Sequence, residues 1–321
     1  MNLLEIKNLN VTYQTKKGLI GKIQTVHAVN NVSLDIQKGE ILAIAGESGC
    51  GKSTLAKAIM KLVQSDSGEI LLNGENVLNL KHNNKDLKKF YQKVQMIFQN
   101  PYSSLNPKMK IGEILKEPLI INTNLKKEEI TKIVEEKIKK VGLDKSALNL
   151  YPHEFSGGQR QRIAIARSLI LNPEFIIADE PVSALDVSIQ AQIINLLKQL
   201  KEDFNLTFLF ISHDLSVIKY LSDRIAIMYL GEVVEIGKTE EIFKNPKHPY
   251  TKALLSSVPE LNPQDEKERI HLQGELPSPE NLPTGCKFHT RCPYVMEICK
   301  TSTPQVKEFS DTHNCKCFLY N

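Results

Sequence analysis

Short apolar segments alternate with segments of helical periodicity over roughly the first 240 residues, a pattern typical of α/β domains. Apolar runs of this length predict strands that are buried on both faces, as in a parallel sheet. The strands predicted in this way span residues 32–37, 41–45, 69–73, 94–98, 175–178 and 207–211. We therefore expect an α/β fold with a mainly parallel core sheet.

Residues 100–167 carry a helical pattern. Apolar residues recur there at steps of three and four, and a glycine follows where a helix C-cap belongs: Ile130, Ile133, Val134, Ile138, Val141 and Gly142. Glutamates interleave the lysines of this segment, which favours a solvated helix with one buried stripe over a basic face for nucleic acid.

Charge and hydropathy argue against two functional classes. The 41 Lys and Arg residues against 37 Asp and Glu give a net charge of +4, too mild a balance to indicate a nucleic-acid-binding protein. No run approaches the roughly 18 apolar residues of a membrane-spanning helix, and the start lacks the basic and apolar regions of a signal peptide. We expect a cytoplasmic chain whose membrane role, if any, requires partner chains.

The composition changes after about Ser256. Prolines punctuate a polar stretch at Pro259, Pro263, Pro277, Pro279 and Pro283. Five of the six cysteines then lie between Cys286 and Cys317, and such clustering in a reducing cytosol favours metal binding over disulfides. We therefore predict one large domain over residues 1–255 and a Pro-rich linker with a Cys-rich extension over residues 256–321.

Residues 46–53 (GESGCGKS, here the P-loop) match G-x-x-x-x-G-K-[ST]. The segment follows the predicted strand 41–45 and opens a predicted helix, which is the context that a phosphate-binding loop requires. Backbone N–H groups of such a loop surround phosphate oxygens, Lys52 would reach the β- and γ-phosphates, and Ser53 would bind Mg²⁺. A chance Gly-rich turn is the alternative. Cys50 occupies an unconstrained position, so we interpret it as a small loop residue.

An apolar strand, residues 175–178, ends in Asp179 and Glu180. In P-loop proteins an aspartate at this place helps to hold Mg²⁺, and the following glutamate could polarise the water that attacks the γ-phosphate. A solvated strand end would explain the pair alone, but its position downstream of a P-loop favours the functional interpretation.

Further motifs follow in a fixed order: residues 155–162 (FSGGQRQR), 179–181 (DEP), 183–186 (SALD) and 211–214 (ISHD). With the P-loop, they make residues 1 to about 255 resemble the nucleotide-binding subunit of an ATP-binding cassette (ABC) transporter. Finer matches resemble the ATP-binding subunits of oligopeptide/dipeptide importers. These are residues 100–107 (NPYSSLNP), 186–192 (DVSIQAQ), 248–251 (HPYT), 285–286 (GC) and 291–293 (RCP).

The resemblance implies a P-loop NTPase fold of the ABC type. Besides the core sheet, such a fold has an antiparallel β subdomain and an α-helical signature subdomain, which we place at about residues 100–167. The Cys-rich C-terminal extension is the part that the importer subunits add.

The resemblance also implies roles for individual residues. Ser156, Gly157, Gly158 and Gln159 resemble the signature motif that caps the γ-phosphate held by the opposite subunit, and a helix N-cap alone would not require Gln159. Gln99 resembles the Q-loop glutamine that contacts Mg²⁺ or water, and His213 resembles the switch histidine that bonds the γ-phosphate. Asp186 resembles the D-loop acid at the dimer contact, and Tyr13 resembles the aromatic residue that stacks on adenine. The residues expected to surround the phosphates are Gly46, Glu47, Ser48, Gly49, Cys50, Gly51, Lys52, Ser53 and Thr54.

Importer subunits of this kind often carry a Cys-rich tail, and some bind a four-iron four-sulfur cluster through four cysteines. The resemblance of the chain ending selects Cys286, Cys292, Cys299 and Cys317 as the ligands, and not Cys315. Four thiolates suit either a cluster or structural Zn²⁺, and the lack of a C-x₂-C pair favours the cluster. Thiols without a metal are the third alternative, and a bound group could simply tether the tail.

The resemblance thus implies an ATPase, with ATP and Mg²⁺, that powers peptide import from the cytoplasmic face of the cell membrane as a peripheral subunit. Its partners would be a second ATP-binding subunit (a heterodimer is favoured over a homodimer), two integral membrane permease subunits and, indirectly, an extracytoplasmic solute-binding protein. No nucleic-acid partner is expected. The same role in a nickel or other small-solute importer is one alternative, and a soluble ABC ATPase without a transport function is another.

Overall fold

Strands occur along most of the chain in the computed structural model, which describes residues 1–16, 23–80, 85–258 and 270–320. The strands are β1 (Asn2–Lys16), β2 (Ile23–Gln37), β3 (Ile41–Ala45), β4 (Ser67–Leu72), β5 (Glu75–Asn76), β6 (Val94–Ile97), β7 (Phe175–Asp179), β8 (Thr207–Ile211), β9 (Arg224–Tyr229), β10 (Glu232–Lys238), β11 (Val306–Glu308) and β12 (Asn314–Lys316). The six predicted strands overlap β2, β3, β4, β6, β7 and β8, and two of them run one residue beyond the observed strand, at Asn73 and Phe98.

The helices lie between these strands, as the alternating pattern predicts. They are α1 (Lys52–Ile59), α2 (Lys85–Lys93), α3 (Pro101–Ser104), α4 (Ile111–Asn122), α5 (Lys127–Lys140), α6 (Gly157–Leu169), α7 (Val187–Phe204), α8 (Leu215–Leu221), α9 (Thr239–Lys244), α10 (Pro249–Ser256) and α11 (Glu297–Thr301). No helix within the described residues is both long enough and apolar enough to span a membrane. The chain divides into two units, residues 1–78 with 212–321 (unit 1) and residues 79–211 (unit 2).

Unit 1 contains an antiparallel sheet in the order β2-β1-β4-β5. The long strands β1 and β2 pair from Asn2 with Gln37 to Lys16 with Ile23, and apolar side chains on one face, such as Leu4, Ile6 and Leu9, are buried. Alternation of this kind is typical of an antiparallel sheet that packs one face against a core. This sheet is the expected antiparallel β subdomain.

The second sheet of unit 1 holds β3, β9, β10, β12 and β11 in that order. Strand β3 pairs in parallel with β9, and every residue of β3 is buried. Strands β9, β10, β12 and β11 continue the sheet in antiparallel pairs. The P-loop follows directly on the carboxyl end of β3, which is where ligands bind in open parallel α/β sheets.

Unit 2 contains the parallel strands β6, β7 and β8, paired in register from Val94 with Phe175 and from Phe175 with Thr207. Its helices include α5, whose predicted stripe is buried at Ile130, Val134, Ile138 and Val141, while Ile133 is partly exposed. Helix α5 ends where the sequence predicts. Gly142 there has a φ of +77°, and the N–H of Leu143 donates to the carbonyl of Ile138.

The C-terminal extension joins the second sheet of unit 1. Residues of β12 pair with β10, with Cys315 opposite Glu235. Glu235 is almost fully buried, and its carboxylate accepts hydrogen bonds from the N–H groups of Lys247 (2.6 Å) and His248 (2.9 Å) and lies 2.8 Å from Nε2 of His313. The extension is therefore part of unit 1, while the predicted domain boundary at residue 255 stays a prediction. Two linker prolines, Pro259 and Pro263, lie outside the described residues.

We expect Glu235→Ala to lower the free energy of unfolding by about 3 kcal/mol, because two backbone N–H groups and the buried His313 lose their acceptor. Urea unfolding followed by circular dichroism measures the change. Glu308→Ala is the matched control, since Glu308 is exposed on β11, and it is expected to leave stability unchanged. Equal stability of the two variants would contradict this role of Glu235.

Candidate functional site

The P-loop backbone passes unusually close to neighbouring main chain. A Cβ atom on Gly46 would lie 2.1 Å from the carbonyl oxygen of Met228, and one on Gly51 would lie 2.0 Å from that of Ala28. Both glycines also have positive φ angles, +154° and +104°. Only glycine can occupy these positions, so the backbone is free to turn its N–H groups towards a phosphate.

Lys52 is buried at the start of α1. Its ammonium group donates to the carbonyl oxygens of Gly46 (2.8 Å) and Glu47 (3.0 Å), so the cation lies within the loop. The Sγ of Cys50 is 3.8 Å away, and burial raises the pKa of this thiol. Cys50 is thus a neutral, buried loop residue, in agreement with its interpretation as a small side chain.

Glu47 makes contacts that the sequence analysis missed. Its N–H donates to the Tyr250 hydroxyl (2.9 Å), and its carboxylate accepts from the Arg291 guanidinium (2.8 Å). Both partners belong to motifs that carry the finer resemblance, residues 248–251 and 291–293, but no spacing in the sequence relates them to the P-loop.

Two other predicted residues of unit 1 lie on accessible elements. Tyr13 is exposed on β1, opposite Val26 of β2. His213 is exposed in the loop between β8 and α8, where Asp214 caps α8 by accepting from the N–H groups of Ser216 and Val217. Both side chains are accessible to a ligand, and their roles stay predictions.

In unit 2, the structure brings together two predicted catalytic residues. The amide of Gln99 donates to the carboxylate of Glu180 at 2.9 Å. Glu180 follows the buried Asp179 at the end of β7 and has a φ of +46°, in the left-handed region that non-glycine residues rarely occupy. Backbone strain of this kind is concentrated at functional sites, where the strained conformation places a side chain precisely for its role.

The signature segment begins helix α6. The Ser156 hydroxyl accepts from the N–H of Gln159 (3.3 Å), and the Gln159 side chain accepts from the N–H of Ser156 (3.0 Å), which forms a capping box. The expectation that a helix cap would not require Gln159 was therefore wrong. Gly158 permits close packing, since a Cβ there would lie 2.5 Å from the Ile189 side chain. Asp186 is exposed at the N-cap of α7.

Four of the tail cysteines line one small cavity, together with His248 and Phe288; they are Cys286, Cys292, Cys299 and Cys317. Cys315 lines a different cavity. Burial, reinforced by the neighbouring thiols, raises the pKa of Cys286 to about 11. Within the described ranges, no group of three or more His, Cys, Asp or Glu residues is placed to hold a metal ion. The four cysteines thus share one cavity, and their role as metal ligands stays a prediction.

Two family models match parts of the chain. The family model for ABC transporters matches residues 29–183, and the model for the oligopeptide/dipeptide transporter C-terminal region matches residues 234–299. The second match begins within β10 and covers three of the four cavity cysteines.

Relatives match almost the whole chain. The oligopeptide transport ATP-binding protein AppF of Bacillus subtilis (strain 168) is 50% identical over 99% of this chain and 98% of its own length. The dipeptide transport ATP-binding protein DppF of Escherichia coli (strain K12) is 49% identical over 96% and 91%, respectively.

A solved structure shares the fold. The dimeric ATP-binding cassette MJ0796, in a post-hydrolysis state bound to ADP and Pi, is 34% identical with a TM-score of 0.65, over 74% of this chain and 98% of that chain. These matches confirm the α/β ABC-type fold that the motifs predict. The chain belongs to the family of ATP-binding subunits of oligopeptide/dipeptide ABC transporters.

Proposed function

We propose that this chain hydrolyses ATP at the cytoplasmic face of a cell membrane to power the import of oligopeptides or dipeptides. The observation that carries the proposal is a P-loop with an enclosed lysine, in a chain about half identical to peptide-transport ATP-binding proteins over nearly its full length. ATP hydrolysis follows from the family, and the peptide cargo is taken from the names of the relatives.

Binding of the polyphosphate is the task of the P-loop. The Lys52 ammonium replaces its hydrogen bonds to the carbonyls of Gly46 and Glu47 with hydrogen bonds to phosphate oxygens. The N–H groups at the start of α1 stabilise the negative charge of the same phosphates. The donor set fits Mg²⁺, which prefers hydroxyl and carboxylate oxygens, and Ser53 and Asp179 would hold it. When bound, Mg²⁺ neutralises charge on the β- and γ-phosphates.

Glu180 orients and polarises the attacking water. The Gln99 amide donates a hydrogen bond to one oxygen of its carboxylate, and the left-handed backbone of Glu180 sets the direction of the side chain. Fixing the base in advance lowers the entropy cost of placing the water in line with the γ-phosphate. His213 bonds the γ-phosphate in this proposal, and Tyr13 stacks on adenine.

A second ATP-binding subunit completes the site. The segment Ser156–Gln159 begins an α-helix, so its N–H groups and helix dipole suit a phosphate held by the opposite subunit. Asp186 lies at the accompanying subunit contact. We propose a heterodimer that acts on two permease subunits and receives solute from an extracytoplasmic binding protein.

The cysteine cavity is proposed as the site of a four-iron four-sulfur cluster. Four thiols line it and suit cluster ligation, since such clusters take four cysteine thiolates. A structural zinc ion bound by the same four thiolates is the alternative. When bound, the cluster would tie together the turns that carry the four cysteines, and its contribution would be to folding.

Reconstitution of the complex in lipid vesicles tests the function as a whole. We expect di- and oligopeptides, presented with the binding protein, to stimulate ATP hydrolysis, because cargo arrival promotes closure of the ATPase pair. Nickel and sugars are the matched alternatives in the same assay. Stimulation by nickel alone would assign the chain to a metal importer, and hydrolysis without any membrane partner or cargo response would indicate a soluble ATPase.

We expect Glu180→Gln to bind MgATP normally and to slow hydrolysis by roughly 10²–10⁴-fold, because the amide cannot accept a proton from water. Single-turnover hydrolysis and equilibrium binding of a fluorescent ATP analogue measure the two effects separately. Near-normal turnover would remove Glu180 from the mechanism.

Lys52→Ala provides the contrast to Glu180→Gln. The variant should lose nucleotide binding itself, because the buried cation of the loop is gone. Affinity and turnover both unchanged in Lys52→Ala would refute the P-loop assignment.

Anaerobically purified protein should be brown and contain about four irons per chain. Serine at Cys286, Cys292, Cys299 or Cys317 should bleach the colour and expose the extension to protease. Cys315→Ser is the matched control and should stay brown, since Cys315 does not line the cavity. One zinc and no iron by elemental analysis would refute the cluster, and bleaching by Cys315→Ser but not Cys317→Ser would refute the ligand assignment.

A further inference from the structure

An ion pair joins the C-terminal extension to the P-loop. The Arg291 guanidinium donates to the Glu47 carboxylate at 2.8 Å, and the two side chains are only 10% and 26% exposed. Charge-assisted hydrogen bonds at this distance are among the stronger ones, and limited exposure protects the pair from screening by salt. The pair therefore holds one residue of the nucleotide-binding loop from outside the loop.

A second contact holds the backbone of the same residue. The N–H of Glu47 donates to the Tyr250 hydroxyl, and the Tyr250 ring is fully buried, with its centroid 4.7 Å from that of Tyr229 and 5.4 Å from that of Phe288. Phe288 also belongs to the extension. Glu47 is thus fixed at both its main chain and its side chain.

The turn that carries Arg291 is part of the cysteine cavity wall. The N–H of Arg291 donates to the carbonyl of Phe288 (3.0 Å), and the turn runs from Cys286 to Cys292. The N–H of Cys286 in turn donates to the carbonyl of Cys299 (2.9 Å). The position of the guanidinium is consequently set by the fold of the extension.

Glu47 introduces a negative charge into a loop that has to accept a polyphosphate. A carboxylate among phosphate-binding groups repels the ligand, and it also competes for the Lys52 ammonium, which already contacts the Glu47 carbonyl. The guanidinium of Arg291 counteracts both effects, because it neutralises the carboxylate and donates a hydrogen bond to one of its oxygens.

We propose that Arg291 is a positioning residue for nucleotide binding, which acts through Glu47 by neutralising its carboxylate and holding the P-loop in its binding conformation. The inference rests on the proposed P-loop site and adds to it a dependence on the C-terminal extension. Arg291 contacts the carboxylate of Glu47, so its loss should change the affinity for ATP and not the hydrolytic step.

Substitution of both partners tests the proposal with the full-length protein. We expect Arg291→Gln to raise the KM for ATP and the Kd for a fluorescent ATP analogue about tenfold, with kcat within about twofold of wild type. Glu47→Gln is the second partner of the cycle: it removes the charge together with the need for a cation, so Arg291→Gln should cost little further affinity in the Glu47→Gln background. Most diagnostic is the double variant, in which Glu47→Gln should restore the affinity lost in Arg291→Gln.

Arg224→Gln is the matched control for general destabilisation. Arg224 is 12% exposed and pairs with Asp35 and Glu40 at the amino end of β3, whereas the P-loop follows the carboxyl end of that strand. It should lower the melting temperature without changing the Kd. Arg291→Lys keeps the charge without the planar fork and should recover part of the affinity.

An unchanged Kd in Arg291→Gln, or additive losses in the double variant, would overturn the proposal. An equal loss of affinity in Arg224→Gln would also overturn it, by reducing the effect to stability. If instead the P-loop does not bind nucleotide, Lys52→Ala would bind ATP as well as wild type. That result distinguishes failure of the proposed function from failure of the role of Arg291.

Discussion

The close approach of the P-loop to two carbonyl oxygens is the constraint on which the nucleotide site depends. The carbonyls belong to Ala28 of β2 and Met228 of β9, so both sheets of unit 1 shape the loop. Any side chain at Gly46 or Gly51 would collide with them, and the loop would have to move outward. With glycine there, the loop closes tightly around Lys52, and a cation that would otherwise be costly to bury is surrounded by carbonyl oxygens.

The same constraint explains why the C-terminal extension matters to the site. Strand β9, which supplies one of the two carbonyls, pairs with β10, and β10 pairs with β12 of the extension. The buried Glu235 secures that edge through three polar partners. A buried carboxylate is costly unless its oxygens accept hydrogen bonds, and the extension and the loop before α10 supply the partners of Glu235. The framework of the P-loop thus includes residues that are distant in sequence.

The sequence predicted local features well and long-range partners poorly. The buried stripe of α5 and its Gly142 end follow from periodicity and turn chemistry, and the P-loop follows from its motif between strand and helix. The bond between Gln99 and Glu180 was not derivable, since only the pairing of β6 with β7 brings those chain segments together. For Gln159 a local feature was missed. Its capping box with Ser156 could be predicted from their spacing, but the residue was assigned only to the signature motif.

Arg291 illustrates what motif analysis leaves out. Arg291 belongs to residues 291–293, which carry part of the family resemblance. Its ion-pair partner, however, is a carboxylate 244 positions earlier in the chain. That carboxylate, Glu47, is unfavourable in a phosphate-binding loop unless a cation accompanies it, and the cation has to be held rigidly to be effective. A turn anchored between Cys286 and Cys292 supplies that rigidity. On this proposal, a change in the cysteines that displaces the turn would also expose the charge of Glu47 to the incoming phosphates. The cysteine cavity would then affect nucleotide binding without any electron transfer.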